Sequence, residues 1–484
     1  MVDDNNDGIA HRLVAAATLG QVAAMTIALV RQVEEADGLP PRERRAAMLT
    51  VGIAIAISVL STAIANIALP AMARELHATP AESIWVVNAY QLAVTISLLP
   101  FSALGDIIGY RRVYMWGLCV FTLASLACGL ADTLPLLIGA RILQGFGAAG
   151  IMSVNSALVR FIVPRAQLGS GISTITLVVA ICSAAGPSIA AGILTVASWH
   201  WLFTFNVPFG ILAVILALRS LPDTPRSGHR FDLVSAALNA ATFGLLLVGL
   251  DGIGHGQNPI WVAAELAGGS VAAVVFIRRQ NRMAAPVFPV DLFRSRVFAL
   301  SVATSVSSYA AQTVAFLALP FYFAVAGGMS QSHIGLLITP WPAVVVVVAP
   351  IAGRLSDRYS AGLLGGLGLG ILTAGLLLML TLPADPGFVA VAWRMMVCGI
   401  GFGLFQTPNN RALLTAAPRS RSGVASGMVS TARLTGQTIG GVSVAVIFGL
   451  MHGDIGAAVG MALGAGATFS GVACAISFLR LRER

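Results

Sequence analysis

Ser102-Ala103-Leu104-Gly105-Asp106 recurs as Gly353-Arg354-Leu355-Ser356-Asp357, 251 residues further along a chain of 484. The coincidence extends outward from this pair. Arg141, followed by Gly145, Gly147 and Asn155, recurs as Arg394, followed by Gly399, Gly401 and Asn409, at offsets of 253 to 254. A chain that repeats charged and glycine positions in the same order over such a distance is built of two related halves.

Both halves lie in a sequence too apolar for water. Hydrophobic residues make up 57% and charged residues only 10%, and the mean hydropathy is +0.86, outside the range of soluble domains. Windows of about 20 apolar residues, enough to cross about 30 Å of hydrocarbon as helix, predict fourteen spans. They start near residues 47, 83, 113, 134, 169, 203, 232, 258, 298, 332, 361, 387, 423 and 457. A membrane β-barrel would show segments of about ten residues alternating in and out; these runs are twice as long and do not alternate. The expected fold is therefore an all-α membrane protein of two six-helix bundles with an inserted two-helix hairpin. Its divisions are an N-terminal extension (1–46), a first bundle (47–219), a hairpin and Arg-rich linker (220–297), a second bundle (298–478) and a tail (479–484). The spans near 232 and 258 have no counterpart in either half, which identifies them as the insertion. In the extension, His11 to Val30 is interrupted by Gln21 and preceded by Asp3, Asp4 and Asp7, so it lacks the basic start of a signal peptide. A helix lying on the membrane surface is the preferred reading, with a fifteenth span or a start nearer Met48 as alternatives.

All 29 basic residues are arginine. With the N-terminus inside, 23 of them fall on cytoplasmic segments and one, Arg74, outside, so the positive-inside rule puts both termini in the cytoplasm. The arginines punctuate spans and form no continuous basic face, which argues against nucleic acid as a partner. The five cysteines, Cys119, Cys128, Cys182, Cys398 and Cys474, sit in apolar runs without metal-like spacing and are read as small core residues.

Several motifs carry more than topology. Between the second and third spans, Leu104-Gly105-Asp106-Ile107-Ile108-Gly109-Tyr110-Arg111-Arg112 suits a short turn in which Asp106 caps the start of the third span. Capping alone needs no second copy, yet Asp357-Arg358 repeats it, which favours a gate between the bundles. Arg141 lies about one third of the way into a span, where a charge is expensive and by default functional. Arg394 and Arg433 also fall inside spans, but a snorkelling or interfacial role weighs more heavily for them. Gly145-Phe146-Gly147-Ala148-Ala149-Gly150 has the spacing of a dinucleotide loop, but no strand precedes it and no acid follows near residue 170, so helix packing explains it better. Ala185-Gly186-Pro187-Ser188-Ile189-Ala190-Ala191-Gly192 combines a kink with a smooth small-residue face.

Together these segments resemble the major facilitator superfamily, and within it the fourteen-span drug:proton antiporters. The resemblance rests on the Asp106 loop, Arg141-x-x-Gln144-Gly145, Gly186-Pro187 and Ser198-Trp199-His200-Trp201-Leu202-Phe203-Thr204-Phe205-Asn206-Val207-Pro208. Pro408-Asn409-Asn410 and Gly423-Val424-Ala425-Ser426-Gly427 extend it over about residues 47 to 478. It implies that Asp106, Gly109, Arg111 and Arg112 form a cytoplasmic gate with Asp357 and Arg358, that Arg141 acts in proton coupling, and that Gly186 and Pro187 limit leak. Three positions depart from the family pattern. The family usually has an aspartate where this chain has Ser61, and serine cannot ionise in this range; Ser102 and His200 are milder departures. Among the remaining acids Glu265 is the best placed to carry a proton, with an interfacial position as its plainer reading.

The expected activity is proton-coupled export of lipophilic or cationic drugs across a bacterial inner membrane, by a protein working as a monomer. The expected cavity lies between the halves and is lined by Ser61, Asn66, Trp85, Tyr90, Gln91, Arg141, Gln144, Asn155, Gln406 and Asn409. Paired bundles with internal repeats expose one central site alternately to either side, and a mostly apolar cavity with few polar groups suits loose selection. Its partners would be a small lipophilic or cationic solute, protons and membrane lipid. No cofactor, no metal and no catalytic constellation are expected. The alternative is a carrier of a specific metabolite or anion, not proton-coupled because Ser61 replaces the acid.

Overall fold

The structure, a computed structural model, describes residues 38–164, 167–224, 226, 231–254, 256–283, 288, 290–383, 386–417, 422–451 and 454–483. The expected surface helix of the N-terminal extension falls on residues 1–37, outside the described residues, as do Pro286 and Pro289 of the linker. Fourteen helices among the described residues are long and apolar enough to cross a membrane.

The first half comprises α1 (Pro41–Glu75), α2 (Pro80–Ile108), α3 (Tyr110–Gly129), α4 (Leu134–Ile162), α5 (Leu168–Val196), a short α6 (His200–Thr204) and α7 (Asn206–Ser220). The hairpin is α8 (Leu233–Gly254) and α9 (Pro259–Gln280). The second half follows as α10 (Arg296–Phe321), α11 (Gln331–Ile338), α12 (Pro340–Leu355), α13 (Ala361–Met379), α14 (Phe388–Thr415), α15 (Ser422–Leu450) and α16 (Ile455–Leu479). The first span begins at Pro41, six residues before the position expected from hydropathy, because Pro41 opens the helix and a polar turn precedes its apolar run. Other starts are fixed by side-chain caps. Thr79 and Glu82 form a reciprocal capping box at α2, and Ser295, Ser330, Ser360 and Asp454 cap α10, α11, α13 and α16.

The internal repeat is a repeat of packing. In the first half α1 packs on α5 and α7, α4 on α2 and α3, and α3 on α7; in the second, α10 packs on α15 and α16, α14 on α12 and α13, and α13 on α16. The glycines expected to serve helix packing do so at equivalent places. A side chain on Gly145 would strike the Tyr90 carbonyl, and one on Gly399 the Trp341 carbonyl; Gly147 sits against Gly117 and Phe121 as Gly401 sits against Gly368 and Leu372. These contacts are backbone to backbone, so the close approach leaves no room for a bound dinucleotide.

The two halves meet at one end only. One apolar core unites the ends of both bundles away from the arginine-rich face, drawing on α1, α2, α10, α11 and α15. At the arginine-rich end each bundle keeps its own core, with Leu434 the one residue of the second half in the first half's cluster. Cross-half hydrogen bonds follow the same division: Gln91 Nε2 donates to Gln437 Oε1 at 3.0 Å, and the hydroxyls of Thr95 and Thr438 and of Ser188 and Thr339 pair at 3.3 and 2.9 Å. All lie mid-span or towards the closed end, and none of the described ones joins the halves at the arginine-rich end.

Within the hairpin, α8 packs on both α2 and α15, along the seam between the halves, whereas α9 rests mainly on α8. Its foot is tied by Arg279 to Asp232 at 3.0 Å and by Gln280 Nε2 to Ser235 Oγ at 2.8 Å. Burial alone would raise the Asp232 carboxyl, but hydrogen bonds from Ser235 and Arg279 outweigh it and hold the group below its ordinary value.

Candidate functional site

Arg141 is the centre of the first bundle's polar interior and is 0% exposed. Its Nε donates to the Val86 carbonyl at 2.8 Å, and its Nη1 donates to Gln144 Oε1 at 2.6 Å and Ser61 Oγ at 3.2 Å. The guanidinium carbon lies 4.2 Å from the centre of the Tyr90 ring and 5.6 Å from that of Phe203. Gln144 is held in turn by donating to Ser125 Oγ at 2.7 Å. The sequence reading thus brings together Ser61, Tyr90, Arg141 and Gln144 from α1, α2 and α4. What it lacks is a carboxylate. The position where the family usually has an acid is in contact with the guanidinium, and here it offers only a hydroxyl. Nη2 has no hydrogen-bond partner, although removing a charge from water costs several kcal/mol unless its donors are satisfied.

The second half does not reproduce this centre. Gly145, Gly147 and Asn155 map onto Gly399, Gly401 and Asn409 at 254, but Arg394 is only 253 beyond Arg141. One residue turns a side chain by about 100° on a helix, so the counterpart of Arg141 is Met395, which is fully buried. Arg394 points elsewhere: it donates to the carbonyls of Leu378 and Ala390 and to Thr381 Oγ1, and stacks on Trp393 at 4.5 Å. It ties α14 to the end of α13, the interfacial role that the sequence favoured for it.

The other expected cavity residues divide. Gln91 bridges to Gln437 on the seam, and Gln406 Nε2 donates to the Tyr309 hydroxyl at 2.8 Å in the second half. Asn66 and Asn155 each keep an unpartnered, buried Oδ1. Trp85 turns away from Arg141 and donates to Asp251 Oδ2 of the hairpin at 2.9 Å. Asn409 is enclosed within the second bundle, donating to the Ser301 carbonyl and Ser305 Oγ while accepting from Arg480 at 2.6 Å. Glu265 lies inside the hairpin against Gly249 of α8 and accepts from Gln257 at 3.4 Å, on neither bundle and apart from the Arg141 network. Gly186 is pressed on Ala63 of α1, and the Pro187 carbonyl on Gly335 of α11, so this segment is packed on both sides of the seam.

At the gate motifs the expected cap is corrected. Asp106 belongs to the last turn of α2 and does not cap α3; it accepts the Tyr110 hydroxyl. The reversal is made by Gly109 at φ 99°, and the freed Tyr110 N–H donates to Thr224 Oγ1 at 2.8 Å. Arg111 pairs with Asp223 at 2.9 Å, and Asp357 with Arg411. Arg112 and Arg358 are exposed. Each described pair of these motifs stays within its own half.

Two residues were not recognised in the sequence as site members. Arg480, taken there as a cytoplasmic topology marker, is buried against Ser301, Asn409 and Ser477, and burial lowers its guanidinium to about 10. Asp251 is 8% exposed at the seam. No group of three or more metal-ligating side chains occurs among the described residues.

The charge pattern of the bundles is one-sided. Among the described residues, every Asp and Glu of the two bundles lies within about a turn of a helix end, while Arg141, Arg394 and Arg433 lie deeper.

The family profile described as Major Facilitator Superfamily matches residues 51–441. YebQ, an uncharacterized transporter of Escherichia coli K12, is 52% identical over 451 residues, covering 93% of this chain and 98% of YebQ. The riboflavin transporter RibZ of Clostridioides difficile 630 is 30% identical, covering 80% of this chain and 84% of RibZ. The multidrug resistance protein Stp of Mycobacterium tuberculosis CDC 1551 / Oshkosh is 31% identical, covering 81% of this chain and 74% of Stp.

Proposed function

The chain belongs to the major facilitator superfamily of transporters, and on that premise we propose that it exports lipophilic, drug-like solutes across a bacterial inner membrane, driven by the proton gradient. The observation that carries this reading is the asymmetric joining of the bundles: one shared core at one end and two separate cores at the other. Rocking about the central seam would close the arginine-rich end and open the other. The positive-inside rule makes the open end cytoplasmic, with both termini there. In this state solute enters from the cytoplasm, and Asp106, Gly109, Arg111, Arg112, Asp357 and Arg358 would draw together as the gate closes. Arg141 would sense the proton-driven step through Tyr90, Gln144 and Ser61, and Gly186-Pro187 would keep the seam sealed. The multidrug relative supports broad selection.

A second reading, a carrier of one metabolite or anion without proton coupling, is favoured by one contact: Ser61 Oγ at 3.2 Å from Arg141, where an acid would have neutralised it. The riboflavin relative supports selection of a single metabolite. Everted membrane vesicles with an imposed pH gradient separate the two. Gradient collapse on adding a lipophilic solute, lost in Arg141→Ala and enhanced for cations in Ser61→Asp, is the expected result of the first reading. Flux that proceeds without any response to the gradient supports the second.

A further inference from the structure

Arg433 lies midway along α15 and differs from every other arginine buried in the spans. Arg141 and Arg394 each donate several hydrogen bonds to carbonyl, amide or hydroxyl oxygens. Arg433 is partly exposed and, among the described residues, makes neither a hydrogen bond nor an ion pair. An unpaired guanidinium at membrane depth is costly and faces water or a ligand.

Its direction follows from its neighbours on α15. Gln437, Thr438 and Gly441 touch Gln91, Thr95 and Asn88 of the other half, and Gly436 and Gly440 pack on Val306, Tyr309 and Ala310 of α10. Arg433 is one turn from Gln437 on the same row, towards the end where the halves part. It therefore stands on the seam where the halves begin to part. Its charge acts on the hydroxyls of both Tyr90 and Tyr309, one from each half. Tyr90 carries Arg141 on its ring face, so two cations flank one aromatic side chain without a described carboxylate between them. In a medium of low dielectric constant such a pair creates a strong positive potential.

We propose that Arg433 anchors the anionic group of the transported solute, an amphipathic organic acid that carries a carboxylate. The planar guanidinium matches a carboxylate through two parallel hydrogen bonds. Gln406 and Gln437 supply amide groups beside it. The assignment rests on the transport reading above and adds the charge of the cargo, which makes a cation the poorer fit.

The test uses two dyes with one ring system and opposite charge: fluorescein, which carries a carboxylate, and rhodamine 6G, a cation whose carboxyl is esterified. Fluorescence anisotropy with the purified full-length protein in detergent should show fluorescein bound more tightly than rhodamine 6G. Arg433→Gln should weaken fluorescein at least tenfold and leave rhodamine 6G unchanged or tighter, and Arg433→Lys should recover part of the loss. Because Arg433 has no partner, neither substitution should lower the unfolding temperature. Wild-type protein that fails to bind fluorescein, or Arg433→Gln that binds it as well as wild type, overturns the proposal. Proteoliposomes under an imposed gradient separate the two levels. Movement of rhodamine 6G alone overturns the anion assignment and leaves the transport reading standing, whereas fluorescein binding without flux of either dye upholds the anchor and counts against transport.

Discussion

Arg141 is kept charged in a protein interior by an amide, a carbonyl and a hydroxyl, and its cost depends on those partners. Removing one acceptor leaves a buried charge short of a partner, whereas removing the charge leaves only neutral acceptors, such as Gln144 Oε1 and Ser61 Oγ, to satisfy. Met395 stands at the equivalent place in the second bundle, fully buried, so an unbranched apolar side chain fits that packing. Arg141→Met is expected to keep or raise the unfolding temperature in detergent while abolishing gradient-driven flux. Gln144→Leu, which removes the 2.6 Å acceptor and the bond to Ser125, is expected to cost about 1–3 kcal/mol, read as a lower unfolding temperature. The opposite order of the two variants would show that the charge itself stabilises the bundle.

Among the elements, α5 is held on two faces by different halves. Gly186 lies on Ala63 of α1, with room for no Cβ, while the next residue's carbonyl lies on Gly335 of α11. A β-branched side chain at this point must push α5 off one neighbour. Gly186→Val is therefore expected to loosen the closed end of the seam. An imposed pH gradient in vesicles should then decay faster than in wild type with no solute present; decay at the wild-type rate would leave Gly186 a packing residue only. The hairpin meets the bundles chiefly through α8, at the seam between α2 and α15, and Trp85 holds it there through Asp251. The offsets within the repeat had already marked α8 and α9 as an insertion, but not their position beside the moving seam.

For the whole molecule, transport requires that the closed end open while the arginine-rich end shuts. Ser188 and Thr339 face each other across the closed end with their hydroxyls 2.9 Å apart. In the double variant Ser188→Cys, Thr339→Cys, oxidation is expected to cross-link the halves and stop flux, and a reductant to restore it. Labelling of a cysteine placed near Arg433 from the cytoplasmic side should persist after cross-linking. Loss of that labelling would mean that the cleft closes without movement at Ser188 and Thr339.

The sequence by itself determined the number of spans, the pairing of halves and the insertion. In lipid each helix satisfies its own backbone, so about twenty apolar residues suffice to declare it, and repeated glycines mark where two helices must touch. It also put Ser61, Tyr90, Arg141 and Gln144 in one expected cavity, though together with Trp85 and Asn409, which lie elsewhere. Only the tertiary structure decided what each embedded arginine does. Arg141, Arg394, Arg433 and Arg480 look alike in a hydropathy plot, yet one is enclosed by amides, one caps a neighbouring helix, one faces the cleft and one locks the foot of the second bundle. The difference arises from rotation about the helix axis, where a single residue changes the direction by about 100°, and from oxygen atoms supplied by segments distant in the chain. The same physics removed Asp106 from its expected cap: α2 continues through it, and Gly109 makes the turn.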